Sequence, residues 1–286
     1  MSRKRNKPTS KIDITLLSCG LVDLPVFKDC VEAISREAED VGAKVYVYLN
    51  GAPKETKADF IQSIPDGFEI KQSSERVGFP AGANRAIKAG SAPLVLFITD
   101  DIILHPGSLK ILIDRMKSDS EIGVCGMKLI FPEDSTDPTR PAGRIQHVGH
   151  GVDIRGEVTH PLMGWKPDNP KCNVSREVIS VTGGVFLVQR TAFQKVGGFF
   201  EGYGLGYFED VDLNLSIRDH GWKIWIEAGA VGTHYTNMSM NKSETPPNMA
   251  GNKMMFRMRN QSRLVNDSWT FWALIGIVLT GLRNFL

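Results

Sequence analysis

PLVLFITDD, residues 93–101, is an unbroken apolar run that ends in two adjacent carboxylates. A strand that is apolar on both faces belongs in the middle of a largely parallel sheet covered by helices. Leu94–Thr99 is therefore predicted as a central strand that delivers Asp100 and Asp101 at its carboxyl end. Neighbouring carboxylates repel each other, so they need either full hydration in an exposed turn or a divalent cation. Both readings stand on these residues alone.

Upstream, apolar runs at 12–17, 45–49 and 68–71 alternate with helical patterns at 25–40 and 54–64, with Asp23 as a candidate cap for the first helix. Alternation of this kind implies βαβ units and a mainly parallel sheet, whose ligands sit outside the carboxyl ends of the strands. Those ends carry Ser18-Cys19-Gly20 and Asn50-Gly51. Next comes SSERVGFPAGANRAIKAG, residues 73–90. Gly78 and Gly82 permit a tight loop there, and a helix starting near Pro80 directs free amides at whatever lies before it. Arg76 and Asn84 can then meet a diphosphate or ribose, or the helix simply packs on the sheet with Arg76 in water.

Downstream, a helix at 108–117 and a strand at 122–130 precede a proline- and glycine-rich stretch, 131–176, too long for an idle connector. It holds His147, His150 and His160, with no acid or cysteine to complete a compact metal set, so hydrogen-bonding loop residues are expected. Residues 181–225 then read as a strand at 185–188, a short helix at 191–196, and a loop with five glycines between 197 and 206. A helix follows, opened by Glu209, Asp210 and Asp212, with Val211, Leu213, Leu215 and Ile217 inward and Gly221 as its end. Carboxylates at a helix N-terminus complement its dipole, so this cluster taken alone is a cap. A last core strand is predicted at 223–226, with His234 past its end.

The 286 residues can bury a full α/β core. Cys19, Cys30, Cys125 and Cys172 are widely spaced, which argues against a disulfide framework or zinc site and fits reduced thiols in the cytoplasm. The net charge of +2 arises from Arg3, Lys4, Arg5, Lys7 and Lys11; without them 29 basic residues face 32 acidic ones. The body is thus no polyanion-binding surface, and nucleic acid is excluded as a partner. Residues 1–11 are expected to be a disordered basic tail without the apolar core of a signal peptide. Residues 269–282 are apolar but number fourteen, short of the roughly twenty that span a bilayer. A helix at the inner membrane face or one docked on its own domain are the two readings.

GGF at 197–199, the glycine-rich loop, YFEDVDL at 207–213 and GW at 221–222 together resemble the acceptor-side signature of family 2 glycosyltransferases with the GT-A fold, in a rhamnosyltransferase-like branch. SCG and LNGA resemble that family's nucleotide-binding edge, although Leu49 stands where an acid is usual. RVGFPAGAN resembles its N-x-G-F-x-x-G-x-N segment, TDDI its DxD position with Thr99 in place of the first acid, and IQH and GH its flap elements.

The resemblance implies a mainly parallel GT-A domain over 12–240, with a nucleotide-binding half to 130, a flap and acceptor half beyond it, and a helical, membrane-associating segment at 241–286. It implies an inverting, metal-dependent transfer from a nucleotide sugar to the hydroxyl of a glycan or lipid-linked acceptor. Asp101 and His234 would hold manganese or magnesium, manganese fitting an imidazole better. Asp210 would be the general base and Glu209 an orienting acid. Ser18, Cys19, Asn50, Arg76, Gly78, Asn84, Asp100, Gly183 and Gly184 would line the nucleotide-sugar site. Thr99 and Leu49 keep open a catalytically silent domain of the same fold. A dehydrogenase or nucleotidyltransferase is disfavoured because no GxGxxG or lysine-bearing phosphate loop follows a strand.

Overall fold

The computed structural model describes residues 11–236 and 248–266. The basic tail up to residue 10 and the apolar run at 269–282 lie outside the described residues. Leu94–Thr99, here β4, is the expected central strand, with its middle residues fully buried. β1 (Ile12–Ser18) runs parallel to it, and β2 (Lys44–Asn50) and β3 (Glu69–Ser73) continue outward in parallel. The intervening helices α1 (Leu24–Val41), α2 (Lys54–Gln62) and α3 (Phe79–Ile87) supply the crossovers. Asp23 is the N-cap of α1, but its side chain makes no capping bond.

On the other side of β4 the order is β11 (Val185–Gln189), β6 (Ile122–Ile130), β12 (Lys223–His234) and β10 (Arg176–Glu177). β6 and β12 are parallel to each other, whereas β11 is antiparallel to both β4 and β6. The reversal follows from residues 131–176. The chain leaves β6 at one edge of the sheet, folds into a flap built on β7 (Ile145–His147), β8 (Gly151–Val152) and β9 (Val158–Thr159), and re-enters from that same edge.

Two elements differ from expectation in ways that matter. A three-residue strand, β5 (Ile102–Leu104), follows directly on Asp101, and β12 is twelve residues long instead of ending at 226. The segment AGAVGTH has little apolar periodicity, but it is held on both sides, by β5 and by β6, with an irregularity between Glu227 and Val231. His234 is therefore the last residue of a strand, paired with Ile102.

α4 (Ser108–Ser118) and α5 (Arg190–Lys195) are short surface helices. α6 (Glu209–Asp219) is buried on two sides, which explains inward residues at every second position: Leu213 and Ile217 join the main core, while Val211 and Leu215 face a separate cluster. That cluster is completed by Phe256 and Leu264 of α7 (Met249–Asn266), a helix packed against α6. No helix among the described residues is long and apolar enough to cross a membrane.

Candidate active site

The carboxyl ends of β1, β2 and β4, the end of β12 and the start of α6 converge on a cavity of about 500 Å³, a size suited to a small-molecule substrate. Its wall includes Cys19, Asn50, Arg76, Asp100, Asp101, Gly183, Gly184, Glu209, Asp210 and His234, so most of the candidate residues meet in one place.

Strand register builds one end. His234 lies opposite Ile102, and the Tyr235 N–H donates to the Asp101 carbonyl at 2.9 Å. This places His234 Nε2 3.5 Å from Asp101 Oδ2. The other imidazole nitrogen, Nδ1, is 3.2 Å from Gln146 Oε1. An amide oxygen only accepts, so Nδ1 donates to Gln146 and Nε2 is left turned toward the Asp101 carboxylate. Nε2 so placed can pair with Asp101 or bind a metal beside it, and an imidazole whose second nitrogen donates to an oxygen is the usual form of a metal ligand.

The charge of this end points the same way. Burial would raise the Asp101 carboxyl, but the His234 charge, its hydrogen bond and one from Thr99 Oγ1 at 2.8 Å hold it below the ordinary value. Thr99, standing where a first acid was expected, thus orients Asp101. Asp100 is pushed up to about 7 by burial and by its neighbour Asp101, against the hydrogen bond from Ser18 Oγ at 2.5 Å. Two buried carboxylates in mutual repulsion beside an imidazole are a donor set that a divalent cation would fit.

The other end is built by contact. Gly183 N–H donates to Asp210 Oδ2 at 2.9 Å, and the Val211 amide donates to Oδ1 at 2.8 Å. A methyl group on Gly183 would lie 3.1 Å from the Asp210 Cβ, and one on Gly184 would lie 2.9 Å from Ile102 and 3.6 Å from His234. The two glycines thus separate the acid pair from the Asp101–His234 pair by the width of a backbone. Glu209 is buried, and its Oε2 finds no hydrogen-bond partner among the described residues. Burial, reinforced by Asp210, pushes its carboxyl well above the usual range. The N-cap of α6 is Phe208, in the left-handed region and without a side-chain capping bond, and a first-turn amide, that of Val211, is met by Asp210.

Some expected ligands serve the framework. Asn50 spends its amide on the Arg76 loop, accepting from Val77 N–H at 3.0 Å and donating to Val77 O at 2.9 Å. Asn84 lies outside the cavity: its Nδ2 donates to Phe199 O and Glu201, and its Oδ1 accepts from Phe199 N–H. Gly78 is pressed against the Gly204 carbonyl, and Ser18 is fully buried beneath Asp100. Cys19 reaches the cavity, but burial and then Asp100 push its thiol up to about 11, so it stays neutral. Arg76 reaches it too, with no carboxylate in ion-pair range among the described residues.

The flap histidines meet more closely than their spacing suggested. The His147 and His150 rings are 4.6 Å apart and those of His150 and His160 4.8 Å, and their nitrogens can be drawn around one point. Hydrogen bonding argues against a metal there. His147 Nε2 accepts from Gly149 and Thr182 N–H, both at 3.2 Å, so its Nδ1 bears the proton and has no lone pair to offer. His150 Nδ1 is committed to Ser180 Oγ at 3.2 Å. Gln146, which orients His234, was not singled out from sequence; it lies in the IQH element, beside a histidine that drew the attention.

The family model of glycosyltransferase like family 2 matches residues 14–248. Among curated proteins, the chain is 29% identical over 176 residues to the O-antigen biosynthesis protein RfbC of Myxococcus xanthus, covering 59% of this chain and 13% of that one. It is 27% identical over 206 residues to an N-acetylglucosaminyl-diphospho-decaprenol L-rhamnosyltransferase of Mycobacterium tuberculosis, covering 65% and 64%. The chain spans less than two thirds of the length of either relative. In fold it resembles GalNAc-T7 solved with UDP, GalNAc and Mn2+, at a TM-score of 0.62 and 14% identity, covering 80% of this chain and 44% of that one. It also resembles the mannosyltransferase PcManGT of Pyrobaculum calidifontis solved with GDP-Man and Mn2+, at 0.54 and 12%, covering 96% and 80%. The sheet is thus of the GT-A kind, and with a family model spanning most of its length the chain belongs to glycosyltransferase family 2.

Proposed function

We propose that this protein transfers a sugar from a nucleotide diphosphate sugar to an acceptor hydroxyl with inversion at the anomeric carbon. The observation that carries the reading is the meeting of Asp101, His234 and Asp210 on one cavity, on either side of the Gly183-Gly184 backbone. A manganese or magnesium ion held by Asp101 and His234 would offset the charge that builds on the leaving diphosphate. Arg76 and the N-terminus of α3 add positive potential on that side. Asp210, its carboxylate oriented by two backbone amides, takes the proton from the attacking hydroxyl. Glu209, which lines the same cavity beside Asp210, orients the donor sugar or the acceptor. Attack is direct, so no covalent nucleophile is required.

The names of the relatives suggest where to look for substrates: an L-rhamnosyl donor with a glycan acceptor on a polyprenyl diphosphate is the first pair to try. Work at a lipid-linked acceptor agrees with peripheral association at the inner membrane face. The test is incubation of the purified protein with a panel of nucleotide sugars, acceptors and Mn2+, with the linkage read by NMR. Transfer with inverted configuration, abolished by EDTA and restored by Mn2+, is the expected result. Retention of configuration would remove Asp210 as a base acting on the acceptor, and full activity in EDTA would remove the cation. Nucleotide-sugar binding without turnover across the panel would favour the catalytically silent domain.

A further inference from the structure

The loop that aims the acidic pair is strained. Tyr207 and Phe208 both have φ of 75°, and consecutive bulky residues in the left-handed region persist only where their surroundings hold them. Much of the restraint around these two residues comes from one helix. α7 buries Asn252, Phe256, Asn260 and Leu264, spaced every four residues along a single stripe, so two of its four core positions are amides rather than hydrocarbon.

Each turn of that stripe grips the strained segment at a different point. Asn252 Nδ2 donates to Tyr203 O at 2.9 Å and to Gly206 O at 2.7 Å, just ahead of Tyr207. The Phe256 ring lies 5.5 Å from that of Phe208. Asn260 Nδ2 donates at 2.6 Å to Asp212, which is buried and also met by Arg259 at 3.1 Å. The segment is thus clamped before, at and after Glu209 and Asp210. The opposite edge of the helix holds the flap, through Arg257 to Arg155 O at 2.6 Å and Lys253 to Glu157 at 2.6 Å.

We propose that α7 is the positioning element of the acidic pair, with Asn252 and Asn260 as positioning residues that set where Asp210 stands relative to the bound donor. This rests on the transfer reading for its kinetic consequence, but its structural half does not. Buried amides with specific acceptors define one register where a purely apolar stripe would tolerate slippage. Misplacing a reacting group by about an ångström can cost on the order of a hundredfold in rate.

Asn252→Asp keeps the shape and removes the donor; Asn252→Ser keeps a shorter donor and serves where the aspartate variant does not fold. Two readouts are needed, hydrogen–deuterium exchange over residues 203–212 and steady-state transfer. The expected result is faster exchange confined to that segment, with kcat down by about tenfold to a hundredfold. KM for the nucleotide sugar should be unchanged, and the serine variant should fall between wild type and aspartate. Met258→Ala, on the exposed face of the same helix, should change neither. Unchanged exchange in the asparagine variants overturns the proposal, as does a rise in donor KM in step with the fall in kcat, which marks a general structural lesion. If wild type transfers no sugar at all, the proposed function fails while the exchange experiment still decides the role of α7.

Discussion

At the Asp101 end of the cavity the side chains are set by hydrogen-bonded strands: β4 fixes Asp100 and Asp101, and the pairing of β12 with β5 brings His234 opposite. At the Asp210 end a glycine-rich loop and two residues in the left-handed region do the same task, and side chains of a distant helix hold them. Backbone ladders spread a perturbation over many bonds, whereas a loop held by a few side chains concentrates it. The first end is therefore expected to tolerate changes around its ligands, and the second to respond sharply to changes some distance away.

The most direct way to break this contrast is Asp210→Asn. A positioned general base contributes about 10²- to 10⁴-fold, so transfer should fall by that order while nucleotide-sugar binding, which depends on the other end, is nearly unchanged. Isothermal titration of the donor alongside the transfer assay separates the two. Loss of binding together with transfer would mean that Asp210 is chiefly a support for Gly183 and the loop.

A second cut falls within the strand-built end. Gln146 touches His234 through a side chain and not through the sheet, so it is the weak point of an otherwise regular construction. Gln146→Ala should weaken manganese binding by about 10- to 100-fold, as is usual when the partner of a ligating imidazole is removed, and Gln146→Glu should restore it. Electron paramagnetic resonance of free Mn2+ during titration measures this. Equal affinities would place the cation away from His234.

The same contrast explains what could be read in advance. Leu94–Thr99 and the runs before it announce themselves because a strand buried on both faces must be apolar throughout, so Asp100 and Asp101 are located at a strand end without any structure. The length of β12 was hidden because AGAVGTH owes its strand to partners on both sides and not to its own residues. Asn50 and Asn84 look like ligands in sequence, since an exposed amide near a strand end and a buried one that ties two backbones together are the same letter. The acid pair was legible only through family resemblance; from charge and helix position alone Glu209 and Asp210 are a cap. The stripe Asn252, Phe256, Asn260, Leu264 gives no apolar periodicity to read because two of these four buried positions are polar.

A backbone contact on the Arg76 loop joins the two ends, and altering it asks how far they are independent. Gly78, in the loop that carries Arg76, lies against the Gly204 carbonyl, and a methyl group there would sit 1.9 Å from that oxygen. Both partners are backbone, so neither can swing aside. Gly78→Ala should cost about 1–3 kcal/mol of stability, the range for overpacking, seen as a lower unfolding midpoint. If the ends are coupled through this point, donor binding and transfer both decline; if only the acid end shifts, transfer declines alone.

A further effect is one of pH, and it concerns the flap that faces the acid end. His150 is buried, and burial first, then the neighbouring His160, pull its pKa down to about 4 against the opposing pull of Asp210. His147 is lowered as well, again chiefly by burial. A group whose folded value lies below its unfolded value of about 6.5 contributes stability above that pH and loses it as the pH falls toward 4. The flap should therefore loosen on acidification in this window, with a slope of at most about 1.4 kcal/mol per pH unit for each histidine. His150→Gln keeps an amide that can bond Ser180 and removes the titration. Its unfolding free energy, followed by urea denaturation from pH 7 to pH 4, should fall less steeply than that of wild type. Parallel slopes would show that His150 meets water in the folded flap and that its burial between two imidazoles is not maintained in solution.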